Sequence, residues 1–143
     1  MQLVLQSDFN EPAPKRAQKS ESVALQGAHQ SQIYSIDVSG CGQYMASAGM
    51  DRQIHIWNLN PDQTDEENVI HPHTVGHPLT NHKNSILKLK WGSTESNNLY
   101  SCGAINGTTK RGELFQWDLY EFTRTRQYMG HKAVINSIDF KND

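Results

Sequence analysis

One spacing recurs three times along this chain and narrows the folds open to it. His29 is followed by Ile33, Ile36 and Val38, at offsets of four, seven and nine residues. His82 is followed by Ile86, Leu89 and Trp91 at the same offsets, and His131 by Ile135, Ile138 and Phe140. The histidines stand 53 and 49 residues apart. Three such matches are hard to obtain by chance. Self-similarity at this period marks an array in which each repeat is one supersecondary unit.

The first unit, residues 27 to 58, shows what that unit is. Ile36 and Val38, Tyr44 and Ala46, and Ile54 and Ile56 alternate with polar neighbours, the period of half-buried antiparallel strands. Ser39-Gly40-Cys41-Gly42 and Gly49-Met50-Asp51-Arg52 separate these runs with turn chemistry. Three strands of a meander result. Four side chains stand where hydrogen bonds could tie the strands to the loop before them. Trp57 brings an indole N–H and Ser47 a hydroxyl that both donates and accepts. His29 can bridge from that hydroxyl to the Asp51 carboxylate, because its two ring nitrogens differ in role.

This stretch resembles a WD40 repeat, with Gly27-Ala28-His29 in place of the usual Gly-His and Trp57-Asn58 in place of Trp-Asp. The second unit closes on Trp117-Asp118, the family's signature dipeptide. The resemblance implies an all-β fold, a partial WD-repeat β-propeller of antiparallel four-stranded blades. Each sequence repeat would supply the outer strand of one blade and the three inner strands of the next. On that plan residues 22–143 hold two blades and, after Gly130-His131, the first strand of a third. At least four blades close a ring, so the expectation is the N-terminal part of a longer propeller. The structural hydrogen-bond network expected from the repeats comprises His29, Ser47, Asp51 and Trp57, then His82, Ser101 and Trp117, then His131.

The second unit departs from the pattern in one place. Six residues before Trp57 stands Asp51, but six before Trp117 stands Arg111. The turn from Ala104 to Gly112 offers Asn106 and no Asp, so it is expected to lack the carboxylate and to be looser. Residues 1–21, with Pro12, Pro14 and Lys15-Arg16, read as a flexible tail, in which Lys15-Arg16 could also serve nuclear import. Val23 and Leu25 suggest a short strand. Residues 60–80 read as a polar insertion with an acidic cluster, Asp62, Asp65, Glu66 and Glu67, that could meet a basic partner.

Totals exclude several classes. A net charge of −2 over 143 residues gives no reason for unaided nucleic-acid binding. No run approaches the roughly 18 apolar residues of a membrane span, and no cationic segment leads the apolar Met1–Leu5. Two cysteines, Cys41 and Cys102, are too few for a disulfide scaffold and fit a reducing compartment. No cofactor is implied.

Two chemical readings compete with the structural one. Ser47, His29 and Asp51 have the residue types of a nucleophilic triad. Ser47 lies mid-strand in Ala-Ser-Ala-Gly, without a nucleophile elbow or evident oxyanion donors, which favours a structural role. His71, His73, His77 and His82 have ligand types suited to zinc. Pro72 and Pro78 interrupt that segment, no cysteine is near, and His82 already has a structural place, so no metal is expected. Exposed residues of the turns, Met50, Arg52, Asn84 and Arg111, are the candidate partner contacts.

The reading that follows is a non-enzymatic scaffold. The Lys-Arg tail, the Ile33-Tyr34-Ser35 strand and residues 45–58 are similar to WD-repeat components of the spliceosomal small nuclear ribonucleoproteins. That resemblance implies a nuclear role in pre-mRNA splicing. The partners would be other proteins of a multi-subunit complex, with no sequence-specific nucleic-acid readout and no membrane. The alternatives are an adaptor of another complex, such as a ubiquitin ligase or signalling scaffold, which would be cytoplasmic, and more distantly a hydrolase.

Overall fold

The computed structural model describes residues 25, 27–60, 72–93 and 97–141. Eight strands follow one another: β1 (Ile33–Val38), β2 (Tyr44–Gly49), β3 (Ile54–Asn58), β4 (His73–Leu79), β5 (Ile86–Trp91), β6 (Asn98–Ile105), β7 (Gly112–Asp118) and β8 (Thr123–Gln127). They form two four-stranded sheets in sequence order, β1-β2-β3-β4 and β5-β6-β7-β8. Every pairing is antiparallel. Each sheet is a meander of the kind that makes one propeller blade.

The recurrent offsets acquire a physical explanation. In an unbroken strand, residues three apart face opposite sides. A bulge lies between Ile86 and Lys88 of β5, and another at the matching place between Ile33 and Ser35 of β1. The extra residue restores parity, so Ile86, Leu89 and Trp91 share one face. That face, with Leu99, Phe115 and Trp117, packs against Ala46, Ala48, Ile54, Ile56 and Leu79 of the first blade. Small alanines facing bulky aromatics let the two sheets approach closely. Each fully buried large side chain here contributes about 1.5–3 kcal/mol. The corresponding face of the first blade carries Ile33, Ile36 and Val38, which are 51%, 57% and 44% exposed.

Polar groups also join the blades. The Ser35 hydroxyl accepts the Leu89 amide at 3.0 Å, and the Asp37 carboxylate accepts the Trp91 amide at 2.6 Å. The Trp91 indole donates to the Asp37 carbonyl at 2.9 Å. Side chains of β1 thus occupy backbone donors on the inner edge of β5, which would otherwise be open to pairing with another chain.

Three expectations are corrected. Within the supposed insertion at 60–80, His73–Leu79 is the outer strand β4. Pro78 is tolerated there because it sits on an outer strand beside an irregularity: Ile54 pairs with Leu79 but Ile56 with Val75, so extra residues at Gly76–Pro78 loop out of register. The second correction concerns residues 133–140, which form no strand. The Ile135 amide bonds to the Gly103 carbonyl at 3.1 Å, but no further strand lies beside this segment among the described residues to make a ladder. Ile135 is nevertheless buried, Ile138 half-buried, and the Phe140 ring lies 4.6 Å from that of Tyr100. Leu25 is exposed and in no strand. Val23, the tail at 1–21, the acidic cluster at 62–67 and His71 lie outside the described residues.

Candidate partner-binding face

Strand directions alternate within each sheet, so the segments at 27–32, 50–53, 80–85, 106–111 and 128–132 gather at one end of the blades. Two hydrogen-bond chains fix that end. In the first blade the Trp57 indole N–H donates to Ser47 Oγ at 2.8 Å. The Ser47 hydroxyl is then free to donate to His29 Nε2, 2.7 Å away. That leaves the His29 Nδ1–H to donate to Asp51 Oδ2 at 2.8 Å. The direction follows from Trp57, whose indole nitrogen can only donate. Asp51 Oδ1 accepts the Gln53 amide at 3.2 Å, which closes the turn.

The second blade repeats this with one displacement. Trp117 Nε1 donates to Ser101 Oγ at 2.8 Å, and Ser101 lies 2.6 Å from His82 Nε2. The carboxylate expected to be missing is present. It comes from Glu113, two residues beyond Arg111, whose Oε1 faces His82 Nδ1 at 3.6 Å. Glu113 also accepts the Lys83 amide at 2.7 Å and the Asn106 side-chain amide at 3.2 Å. The longer glutamate side chain reaches from the strand to a place that aspartate reaches from the turn. Burial pushes the Glu113 carboxyl up, but the His82 ring and the donors from Lys83 and Asn106 outweigh it and hold the group below its ordinary value. Burial lowers His82, opposed by Glu113.

The turn at 104–112 is also not loose. The Asn106 side chain accepts the amides of Thr108 and Thr109 at 2.8 and 3.2 Å. Its backbone bonds to Arg111 and Lys110 close the hairpin. Position 113 is a signal that sequence could have offered, because a carboxylate four residues before Trp117 is one reach away from His82.

The remaining predicted residues are placed as follows. Met50 and Arg52 are exposed at the tip of the β2–β3 turn, and Arg52 has a φ of 66°. Asn84 is exposed and donates to the Ile105 carbonyl at 2.9 Å, which ties the 80–85 segment to the end of β6. Arg111 is half-buried. Asp51, Arg52 and Gln53 share a groove with Thr80, His82 and Lys83, between the blades. His131 is exposed, and its carbonyl accepts the Gly112 amide at 3.3 Å. At the opposite end, Tyr44, Ile56, Val75, Trp91, Leu119 and Phe122 line an apolar groove of about 370 Å3.

The geometry bears on the two chemical readings. Ser47 is buried, and both its hydrogen-bonding roles are used within the chain. His73 and His77 are exposed on β4, and the His77 ring bonds to the Pro78 carbonyl at 3.0 Å. His82 is directed instead to Ser101. Among the described residues, His29, Asp51 and His55 bring ligand-type atoms within 4.8 Å of one another. His29 has both ring nitrogens engaged, by Ser47 and Asp51, and His55 Nε2 lies 3.1 Å from Gln53 Oε1, so these ligand-type atoms are already used in hydrogen bonds.

Comparison with known proteins agrees with the two blades. Residues 20–58 match the family model of the WD domain, G-beta repeat. The chain is 30% identical over 111 residues to the pre-mRNA-splicing factor cwf17 of Schizosaccharomyces pombe, an alignment covering 78% of this chain and 28% of that protein. It is 28% identical over 109 residues to the U5 small nuclear ribonucleoprotein 40 kDa protein of Dictyostelium discoideum, covering 76% and 26%. A WD repeat-containing protein WDS homolog of Arabidopsis thaliana is 29% identical over 84 residues, covering 59% and 14%. Among solved structures, those of U3-55K and of the RRP9 WD40 repeats superpose with a TM-score of 0.57 at 18% identity, over 76% of this chain and 28% of theirs. The chain therefore spans less than a third of the length of the curated relatives it matches. The family model, the paired tryptophan–serine–histidine chains and the blade topology together make this chain a WD40-repeat protein.

Proposed function

We propose that this chain is a non-enzymatic scaffold of a pre-mRNA splicing complex, acting in the nucleus through protein contacts made by the end of the blades that carries Met50, Arg52, Asn84 and Arg111. The observation that carries the reading is the extent of two alignments. Similarity to the two splicing-associated relatives continues through 109–111 residues, well beyond the 39 matched by the family model. The geometry supports a rigid platform: each histidine chain pins its turn to the strands beneath. Held loops lose little conformational entropy on binding.

The test is proximity labelling in cells with the chain as bait. Enrichment of splicing proteins is the expected result. Enrichment of ligase or signalling subunits would move the assignment to another complex. The double change Met50→Asp with Arg52→Glu should weaken that enrichment. Undiminished labelling would shift the contact elsewhere, for example to the acidic segment at 62–67.

A further inference from the structure

We propose that this end of the blades receives an acidic, extended polypeptide segment of the partner. This rests on the scaffold reading above and adds the chemistry of what is bound. The segments gathered at this end carry Arg52, Lys83, Lys110, Arg111 and Lys132, against two carboxylates, Asp51 and Glu113. Both carboxylates are already engaged by histidine, backbone amides or asparagine inside the blades. None of the five cations has a carboxylate within ion-pairing distance among the described residues. Four of them are exposed and Arg111 is half-buried.

In sequence, the connections from β1 to β2, β3 to β4, β5 to β6 and β7 to β8 contain no Lys or Arg, yet carry Asp62, Asp65, Glu66, Glu67, Glu95 and Glu121. A net charge of −2 thus conceals an uneven distribution of Lys and Arg between the two sets of connections in sequence.

The cations are also linked to one another through the structure. Arg52 and Lys83 share the groove between the blades. The Lys83 amide joins Glu113, and Glu113 joins Asn106 of the hairpin that carries Lys110 and Arg111. Gly112 joins His131, next to Lys132. The cations therefore form a track across both blades rather than a scatter. Arg52 and Lys110 hold left-handed backbone, with φ of 66° and 58°, where glycine or asparagine would sit with less strain. Both tips thus present a long cationic side chain. The segments at 27–32, 50–53, 80–85 and 106–111 contain no Phe, Tyr or Trp on which a nucleobase could stack, and Tyr128 of the last segment has its hydroxyl bonded to Gln116 at 2.8 Å and its ring beside Tyr100. Met50, 50% exposed beside Arg52, offers instead an adaptable apolar contact. Peptide carboxylates with an interspersed apolar residue fit that combination better than RNA.

The experiment uses the full chain, translated in a cell-free system and radiolabelled so that it stays dilute. Retention is measured on beads bearing a deca-glutamate peptide, a deca-glutamine peptide or an oligouridylate. The expected result is retention on deca-glutamate alone, lost as salt rises from about 50 to about 300 mM. Lys110→Glu should lower retention about fivefold, and the quadruple change of Arg52, Lys83, Lys110 and Arg111 to Glu should abolish it. Arg126→Glu, the same charge change on β8, should leave it intact. Equal losses from Lys110→Glu and Arg126→Glu would reduce the effect to net charge and overturn the proposal. So would retention on oligouridylate but not on deca-glutamate, or on neither. Splicing proteins labelled in cells without deca-glutamate retention would leave the scaffold standing and remove its acidic partner. Deca-glutamate retention through these cations with no splicing proteins labelled would do the reverse.

Discussion

Ser47 and Ser101 each stand at a junction where an indole N–H arrives and a histidine nitrogen is reached, and that is why neither tolerates a silent replacement of its neighbours. Asp51→Ala strands the His29 Nδ1–H and the Gln53 amide, at about 1–3 kcal/mol for each buried donor left unpaired. Glu113→Ala should cost at least as much, since it strands the Lys83 amide and exposes His82 to an empty cavity. Arg111→Ala should be nearly neutral. Thermal melts of the three variants test this ordering, and an Arg111 variant as unstable as the Glu113 one would refute it. Acidity adds a second test. Burial holds His82 below 6.5, its ordinary value, and Glu113 lies below 4.5. In both cases the unfolded chain binds the proton first as pH falls, so stability falls with pH. It is full above about 6.5, declines through the histidine range and declines again below the ordinary glutamate value. Hydrogen exchange of β6 and β7, corrected for intrinsic rates, should show less protection at pH 5.5 than at 7.5, and His82→Gln should flatten that difference. Equal protection at the two pH values in the wild-type chain would exclude the effect. Residue types and spacing made the first chain legible. Glu113 was not, because its reach replaces its position and a fixed offset from tryptophan does not see reach.

At the scale of elements, the inner strands were legible and the outer ones were not, for a physical reason. β2, β3, β6 and β7 lie between two neighbours and against the other blade, so burial writes an alternating or continuous apolar pattern into them. β8 is fully exposed and reads Thr-Arg-Thr-Arg-Gln, while β4 carries Pro78 and a register shift. Neither has a hydrophobic period to find. The parity break at the bulges explains why offsets of four, seven and nine work as a signature although a plain strand would forbid them. Close approach of each loop to its blade depends on a glycine. A Cβ on Gly49 would lie 2.0 Å from the Gln32 carbonyl oxygen, and one on Gly103 would lie 2.2 Å from that of Ser85. The same carbonyls accept the amides of Met50 and Ala104 at 2.9 and 3.0 Å. Gly103→Ala should therefore push the 82–85 loop outward and destabilise the second blade by about 1–3 kcal/mol. Gly107→Ala meets nothing within 4 Å and serves as the control. Matching melts for the two variants would mean that the loop yields without cost.

For the whole molecule, the two-blade plan was legible because the repeat itself is, but the sequence could not show how the third unit behaves. Residues 133–140 have the apolar offsets of a first strand, yet a strand is defined by its neighbour. Here the segment lies along the second blade with Ile135 buried and Lys90 paired to Asp139 at 3.4 Å. What stays uncovered is the outward face of the first blade. Ile33, Tyr34, Ile36 and Val38 are all at least 44% exposed, on a strand whose inner edge has no partner strand among the described residues. Covering three or four such side chains contributes about 1.5–3 kcal/mol each, comparable in sum to the roughly 5–15 kcal/mol of a domain's net stability. Unpaired strand edges add backbone groups that seek a second chain. As a 143-residue polypeptide expressed by itself, the protein should therefore run as oligomers or aggregates in size-exclusion chromatography with light scattering. Ile36→Lys combined with Val38→Lys should shift it toward monomer, because the buried faces of the interblade core are untouched. Further WD repeats fused to the chain should have the same effect by covering that face. A sharp monomer peak with cooperative unfolding from the unmodified chain would show that two blades suffice and that the exposed face of β1 does not need a partner to be stable.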